Sequence, residues 1–202
     1  MRKLDNNRTT TLRTLCFILF SGAVCCLSFI SCQHAAPPNK LQPAVEPLSF
    51  HPIEYFEFNC ARCHGSYGSS YGDTFGEGMT DAELIEFVDD MAAGPGQAPI
   101  EGAELNAQVA FHRSLVKDLP FIAWTGWDGE TLSGEVTAGS SVTVKVGNEI
   151  LDATVRDEKW SLNSTQLKPI LGSLVITAER NGATSQLKLS ESAFNHASEL
   201  PQ

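Results

Sequence analysis

The hydrophobic period of this chain changes once, at Leu119-Pro120, and this change limits the folds open to it. Before that point, short apolar stripes recur at the spacing of helices, and β-branched runs are almost absent. After it, apolar and polar residues alternate in short segments at the spacing typical of a β-sandwich. We therefore expect helices before residue 120 and antiparallel strands after it.

The helical part predicts three helices and one glycine-rich loop. The first helix covers about residues 52–59 and the last about 101–116. A helix between them starts at Thr80, where the sequence TDAE is a capping-box pattern, and it ends at Gly94 because Pro95 follows. The loop, residues 65–78, has too many glycines to be a regular element and is expected to wrap around something.

Residues 1–31 have the pattern of an export signal, with four basic residues followed by an apolar run too short for a stable membrane span. The run ends in FISC, which resembles the lipobox of bacterial lipoproteins, although Phe29 stands where leucine is usual. The resemblance implies a lipidated Cys32 at the start of the mature chain, followed by a Pro- and Ala-rich tether over residues 32–49. The alternative is ordinary cleavage, which leaves Cys32 as a spare thiol.

The expected location is therefore outside the cytoplasm, in the periplasm or at the cell surface, on a membrane through the lipid. Gln33 stands where enteric bacteria use aspartate to retain lipoproteins at the inner membrane, which favours the outer membrane. Removing residues 1–31 takes four basic residues from a total of 14 and one acidic residue from 24, so the mature chain has a formal net charge of −13. That charge argues against nucleic acid and for basic partners.

The sequence CARCHG carries two thiols, Cys60 and Cys63, with His64 directly after the second. This is the pattern by which one haem is attached through two thioether bonds while the histidine binds the iron. A zinc site needs more ligands close together, but no other cysteine follows residue 32 and the other histidines are scattered. A redox dithiol typically belongs to a βαβ unit, which the sequence does not predict. The motif therefore predicts one covalent haem c.

Residues 50–119 resemble the small class I c-type cytochromes. Besides the attachment motif, the order of helices and loops matches, as do the aromatic residues Phe56 and Phe111, which in that family pack where the first and last helices cross. The resemblance implies an all-α haem domain with His64 as the proximal iron ligand. In the family a methionine, commonly followed by proline, supplies the sixth ligand, but here that pair is Ala98-Pro99.

Several arrangements of the sixth iron position stay open. Met91 lies on the apolar face of its helix and is the first choice, followed by an open or water-bound position, by His112 and by Met79. Two protein ligands suit electron transfer, whereas an open position would bind small gases or peroxide.

The alternating part resembles bacterial immunoglobulin-like modules over about residues 131–191. Asn181-Gly182 predicts a two-residue hairpin turn, because both positions of a type I′ turn need positive φ. Trp124, Trp127 and Trp160 are expected in the core or at a domain interface. The predicted strands lie at 130–136, 141–146, 149–155, 159–163, 173–180 and 185–191.

The expected architecture is thus multidomain, with an all-α cytochrome c-like haem domain at residues 50–119 and an all-β immunoglobulin-like sandwich at 120–202. The expected function is that of a lipid-anchored, extracytoplasmic monohaem cytochrome, which carries single electrons between redox partners and has no catalytic residues of its own. One alternative is a haem-based gas sensor or peroxidase-like enzyme with an open sixth position. Another is a binding module in the β-part, with the haem part as the electron tap of a larger complex.

Overall fold

The computed structural model describes residues 45–163 and 167–196. The predicted signal at 1–31, the lipidation site Cys32 and most of the tether lie outside the described residues. Of the tether, residues 45–49 are described, and Leu48 donates its backbone N–H to the carbonyl of Trp124 over 3.0 Å. Within the described ranges, no helix is both long and apolar enough to cross a membrane.

The α-helices of the described residues lie before residue 120, as the hydrophobic period predicts, while a 3-10 helix at Lys168–Ser173 lies between two strands of the β-part. The predicted capping box is present, since the Thr80 side chain accepts from the Glu83 backbone N–H and the Glu83 carboxylate accepts from the Thr80 backbone N–H. The bounds are α1 Pro52–Asn59, α2 Ala61–His64, α3 Asp81–Ala93 and α4 Gly102–Val116, with a 3-10 turn at Ser66–Gly68.

In the described residues, eight strands follow and form two antiparallel sheets of four strands each. The first sheet has the order β1-β2-β6-β5 and the second the order β4-β3-β7-β8. The buried faces of the two sheets contribute to one apolar cluster that includes both Trp124 and Trp160. The bounds are β1 Ile122–Trp127, β2 Thr131–Val136, β3 Ser141–Val146, β4 Glu149–Asp152, β5 Thr154–Arg156, β6 Lys159–Asn163, β7 Val175–Arg180 and β8 Ala183–Lys188.

Two details of the strand prediction differ from the structure. The segment 149–155 is two strands, β4 and β5, which belong to different sheets because the chain crosses over at Ala153. The first strand, β1, lies before the first predicted one. The hairpin prediction is confirmed, since Asn181 and Gly182 both have positive φ, 53° and 81°, between β7 and β8.

The predicted fold class, an all-α haem domain followed by an all-β sandwich, is wrong. The described chain is a mixed structure of four short helices and two four-stranded sheets, which belong to one compact unit. Phe56 of α1 and Phe111 of α4 share a buried cluster with Phe121, Ala123 and Phe194 from the β-part. α1 and α4 therefore bury part of their apolar surface against the β-part, whereas α3 packs against α4 through Leu84, Val88 and Val109.

A buried carboxylate from the first sheet also joins α1 to the strands. Glu135 of β2, only 1% exposed, accepts from the backbone N–H groups of Ile53 over 3.0 Å and Glu54 over 3.3 Å. These are donors of the first turn of α1, which has no partner for them within the helix. The helix therefore depends on a strand 81 residues away in sequence for the satisfaction of its first turn.

Candidate functional site

The CxxCH motif lies at the junction of α1 and α2. Cys60 ends α1 by donating its N–H to the carbonyl of Phe56 over 2.8 Å, and its own carbonyl accepts from the N–H of His64 over 3.0 Å. The two thiols and the imidazole therefore belong to one turn of helix. Gly65 stops α2 with a φ of 72°, and a Cβ there would lie 2.3 Å from the Ser69 hydroxyl. The chain thus turns sharply directly after His64.

A cleft between the helices is lined by the whole motif. Its enclosed space is about 40 Å³, and the wider cleft, which includes space open to solvent, is about 460 Å³. Two hydrogen bonds tie the attachment helices to the α3–α4 loop at its edge: the Tyr55 hydroxyl donates to Ala98 O over 2.5 Å, and Arg62 donates to Pro95 O over 3.0 Å. We call this space the motif cleft, lined by Cys60, Cys63, His64, Tyr71, Met91, Gln108 and His112 among others.

The two cysteines of the motif are free thiols in the described chain. Burial raises the pKa of the Cys60 thiol, against a smaller opposing effect of Arg62. A catalytic dithiol needs a stabilised thiolate, so this environment does not favour redox exchange chemistry. Among the described residues, the grouping of metal-ligating side chains is elsewhere, which also does not favour a zinc site at the motif.

The two methionines proposed as a sixth iron ligand lie at different places in the structure. Met91 of α3 is half-buried and lines the motif cleft together with His64. Met79 does not line it but lies beside Glu83, Glu86 and Phe87 at a separate, acidic surface depression. Met91 is therefore the methionine that the fold brings to the motif.

His112 lines the same cleft, but both of its ring nitrogens have partners. Nδ1 lies 2.8 Å from the backbone carbonyl of Gln108, and Nε2 lies 3.1 Å from the hydroxyl of Tyr71. The carbonyl can only accept, so Nδ1 carries the proton and Nε2 accepts from Tyr71. Burial lowers the pKa of His112 to about 4, so the ring is neutral at pH 7. The ring is thus held as a hydrogen-bonded core residue.

This neutral, buried imidazole predicts a pH dependence of stability. Between the ordinary pKa of 6.5 and the folded pKa of about 4, the unfolded chain binds a proton at His112 that the folded chain excludes. Stability present above pH 6.5 is therefore lost as the pH falls, by up to roughly 1.4 kcal/mol per pH unit. Urea unfolding of the wild type and His112→Gln between pH 7 and about 4.5 measures the difference in slope. Parallel profiles would contradict the prediction, because carboxylate titration is common to both proteins.

The burial and hydrogen bonding of the Gln108 side chain indicate whether the motif cleft fits a bound group. Its side chain is fully buried and lines the cleft, yet neither its amide nitrogen nor its amide oxygen has a hydrogen-bond partner. A buried amide without partners costs free energy, and native proteins avoid this unless a ligand or water supplies the partner. The apolar lining from Phe87, Val88 and Ala92 suits a flat aromatic group. The types of residue that line the cleft therefore fit a haem held at the motif, and the side chains must move apart to admit it, because the enclosed space is only about 40 Å³.

The surface of α3 beside the cleft is acidic. The stretch from Cys63 to His112 contains no lysine or arginine. One of its acids, Asp81, accepts hydrogen bonds from Nε and Nη2 of Arg113 on α4, which fixes α3 to α4. Glu86, Asp89 and Asp90 are exposed. The outer face of α3 therefore presents negative charge to solvent.

A second group of ionisable side chains lies at the start of α1. The ligand atoms of His51, Glu54 and Glu135 all lie within 4.8 Å of one another. Glu135 already accepts two backbone hydrogen bonds from α1, and His51 Nδ1 lies 3.6 Å from its carboxylate. Glu54 is paired with Lys159 at the surface. These contacts explain why the three side chains lie together: they attach the start of α1 to the sheet.

Sequence reasoning did not find Tyr71, Gln108 or Tyr55 as members of the cleft. Tyr71 lies in the glycine-rich loop, where the only available signal was that the loop must wrap around something. Gln108 lies within the last predicted helix, and its burial depends on how α4 packs. No family model, no curated protein and no solved structure matches this chain.

Proposed function

We propose that this chain is an electron carrier that holds one covalently attached haem in the motif cleft. The observation that carries the proposal is that Cys60, Cys63, His64 and Met91, four side chains of the types that hold haem, line one cleft with an apolar wall. The group would supply a one-electron couple at its iron. The polypeptide would supply attachment, ligation and the exclusion of water.

Each side chain has a distinct part in this proposal. Cys60 and Cys63 form the two covalent links, and the helical turn between them sets their spacing. His64 and Met91 would bind the iron, and Met91 is preferred to Met79 because its side chain lines the cleft while that of Met79 does not. Phe56 and Phe111, whose ring centroids are 5.3 Å apart, hold α1 against α4 behind the cleft.

The acidic outer face of α3 supports a proposal about partners. Exposed carboxylates next to the cleft attract basic protein surfaces over about a Debye length, 8 to 10 Å at moderate salt. Negative charge close to the iron also favours its oxidised form. We therefore propose redox partners with basic docking surfaces, and rates of electron exchange that fall as ionic strength rises.

One observation favours a second candidate function, a gas sensor or peroxide-reactive protein with an open sixth position. The unpartnered amide of Gln108 would hydrogen-bond a small polar ligand if Met91 did not bind the iron. Both candidates share the attachment through Cys60 and Cys63. They differ in whether the iron accepts an external ligand.

Absorption spectra of the purified mature protein, oxidised and reduced, test the proposal. We expect a covalent, low-spin haem that titrates as a one-electron couple, shows the near-infrared band of methionine bound to ferric iron, and takes up no carbon monoxide. Met91→Leu is expected to remove that band and open the position to carbon monoxide, whereas Met79→Leu, the matched control, leaves both unchanged. A high-spin wild type that binds carbon monoxide would favour the second candidate. Absence of covalent haem would reject both.

A further inference from the structure

We propose that Tyr71 and His112 are positioning residues for His64, which set the orientation of its imidazole through a chain of contacts that starts at the backbone of α4. The inference rests on the proposed function, because the orientation matters only if His64 binds an iron. It assigns a role to the glycine-rich loop, which the attachment motif alone leaves without one. Three independent contacts support it.

The first contact is between the rings of His64 and Tyr71. Their centroids are 4.6 Å apart with an interplanar angle of 34°, so the tyrosine ring covers one side of the imidazole. Phe75 also stacks on Tyr71, at 3.8 Å and 8°. Movement of the Tyr71 ring away from its place beside His64 would disturb that stacking.

The second contact fixes the other end of Tyr71. Its hydroxyl lies 3.1 Å from Nε2 of His112 and donates to it, since Nδ1 of that histidine carries the ring proton. His112 is 3% exposed, so its unprotonated nitrogen has no access to bulk water, and loss of the tyrosine hydroxyl would leave a buried acceptor without a partner. The hydrogen bond therefore selects one rotamer of Tyr71.

The third contact fixes His112 itself. Nδ1 donates to the carbonyl of Gln108, one helical turn earlier on α4, over 2.8 Å. The imidazole is thereby tied to a rigid backbone element, and the order of contacts is α4 backbone, His112, Tyr71, His64. The loop is anchored at His64 as well, because the N–H of Ser70 donates to the carbonyl of His64 over 2.8 Å.

Rigid support of this kind acts on an axial ligand in a measurable way. The plane of a ligated imidazole and its mobility influence the reduction potential of the iron and the pattern of its unpaired spin, and groups around the ligand tune both. Neither Tyr71 nor His112 touches the reacting iron in this proposal. Their effect is expected on spectroscopic and redox properties, with covalent attachment unchanged.

The test compares two tyrosine-to-phenylalanine variants from the same loop. Tyr71→Phe keeps the ring and removes the hydroxyl that His112 holds. Tyr67→Phe is the matched control, because its hydroxyl contacts the backbone N–H of Ala138 over 3.1 Å and its side chain does not line the motif cleft. Haem content by mass, midpoint potential, and the hyperfine-shifted proton resonances of the oxidised protein are measured for both variants and the wild type.

We expect all three proteins to carry the same covalent haem, and Tyr71→Phe alone to shift both the midpoint potential and the resonance pattern. If both variants matched the wild type, the positioning role would be rejected while the proposed function stood. If the wild type carried no covalent haem, the proposed function would fail and the inference with it.

A measurement on the wild type covers the case in which Tyr71→Phe does not fold. Nitrogen-15 spectra of the reduced protein report which ring nitrogen of His112 carries the proton. The Nδ1–H form, with Nε2 shifted by an accepted hydrogen bond, is expected. The Nε2–H form would overturn the inference, because that nitrogen could not then accept the hydroxyl of Tyr71.

Discussion

The double variant Cys60→Ala/Cys63→Ala is expected to lose all covalently attached haem. Each thiol supplies one of the two bonds proposed to hold the group, and no other cysteine occurs after Cys32. The two side chains are half-buried and exposed in the structure, so their truncation leaves the core of the protein intact. The measurement is the intact mass of the purified protein, with haem staining after denaturation. The effect is the largest that we expect from any change at the motif.

The matched control is Ser70→Ala, which removes an exposed polar side chain from the turn that follows the motif. It is expected to retain the full haem mass. Single variants at Cys60 or Cys63 should retain one thioether and shift the reduced absorption band, because one vinyl group stays unsaturated. Undiminished covalent haem in the double variant would show that the attachment is elsewhere and would remove the basis of the proposed function.

Gly134→Ala is expected to unfold the protein or nearly so. A Cβ at this position of β2 would lie 1.9 Å from the carbonyl oxygen of Ala123 and 2.7 Å from Nε1 of Trp160. That indole nitrogen donates to Ala123 O over 3.1 Å and to Glu135 O over 3.2 Å, so no flexible group can move aside. We expect a loss of more than about 4 kcal/mol in the free energy of unfolding, measured by urea denaturation.

The control for this change is Gly126→Ala on the neighbouring strand β1. There the added Cβ would meet only the hydroxyl oxygen of Ser133 at 2.6 Å, which can rotate away. Its cost is expected to be about 1 to 2 kcal/mol, well below that of Gly134→Ala. Equal effects of the two substitutions would contradict the argument from close approach of the Ala123 carbonyl.

Local signals in the sequence predicted local structure well. The start of α3 at Thr80 was found because its capping box lies within four residues, and the β7–β8 turn because Asn181-Gly182 suits positive φ at both positions. The change of hydrophobic period at residue 120 separated helices from strands. Each of these signals depends on neighbours in the chain and not on the tertiary fold.

The predicted fold class was wrong because the hydrophobic period of a segment does not indicate which element covers its apolar face. Phe56 and Phe111 read as the core of an independent helical domain, but they bury against Phe121 and Phe194 of the β-part as well as against each other. The split of residues 149–155 into two strands has the same origin, since alternation is identical whichever sheet a strand joins.

In the candidate site, too, the residues with a local sequence signal were predicted and those that depend on tertiary packing were not. Cys60, Cys63 and His64 were predicted because their chemistry needs a fixed spacing within one turn, which the sequence displays. Tyr71 and Gln108 were not, because the contact of Tyr71 with His112 spans 41 residues and the burial of Gln108 depends on the packing of α4. Long-range hydrogen bonds leave no periodic trace in a single sequence.

The buried Glu135 carboxylate protects the first-turn amides of α1 from hydrogen exchange with solvent. In a free helix the first amide protons exchange readily with solvent, since nothing in the helix shields them. Here the amides of Ile53 and Glu54 donate to a strand carboxylate that is 1% exposed, so we expect them to exchange more slowly than the amides of a free helix start. Because α1 runs directly into Cys60, the same two bonds hold the helix that leads into the motif against β2.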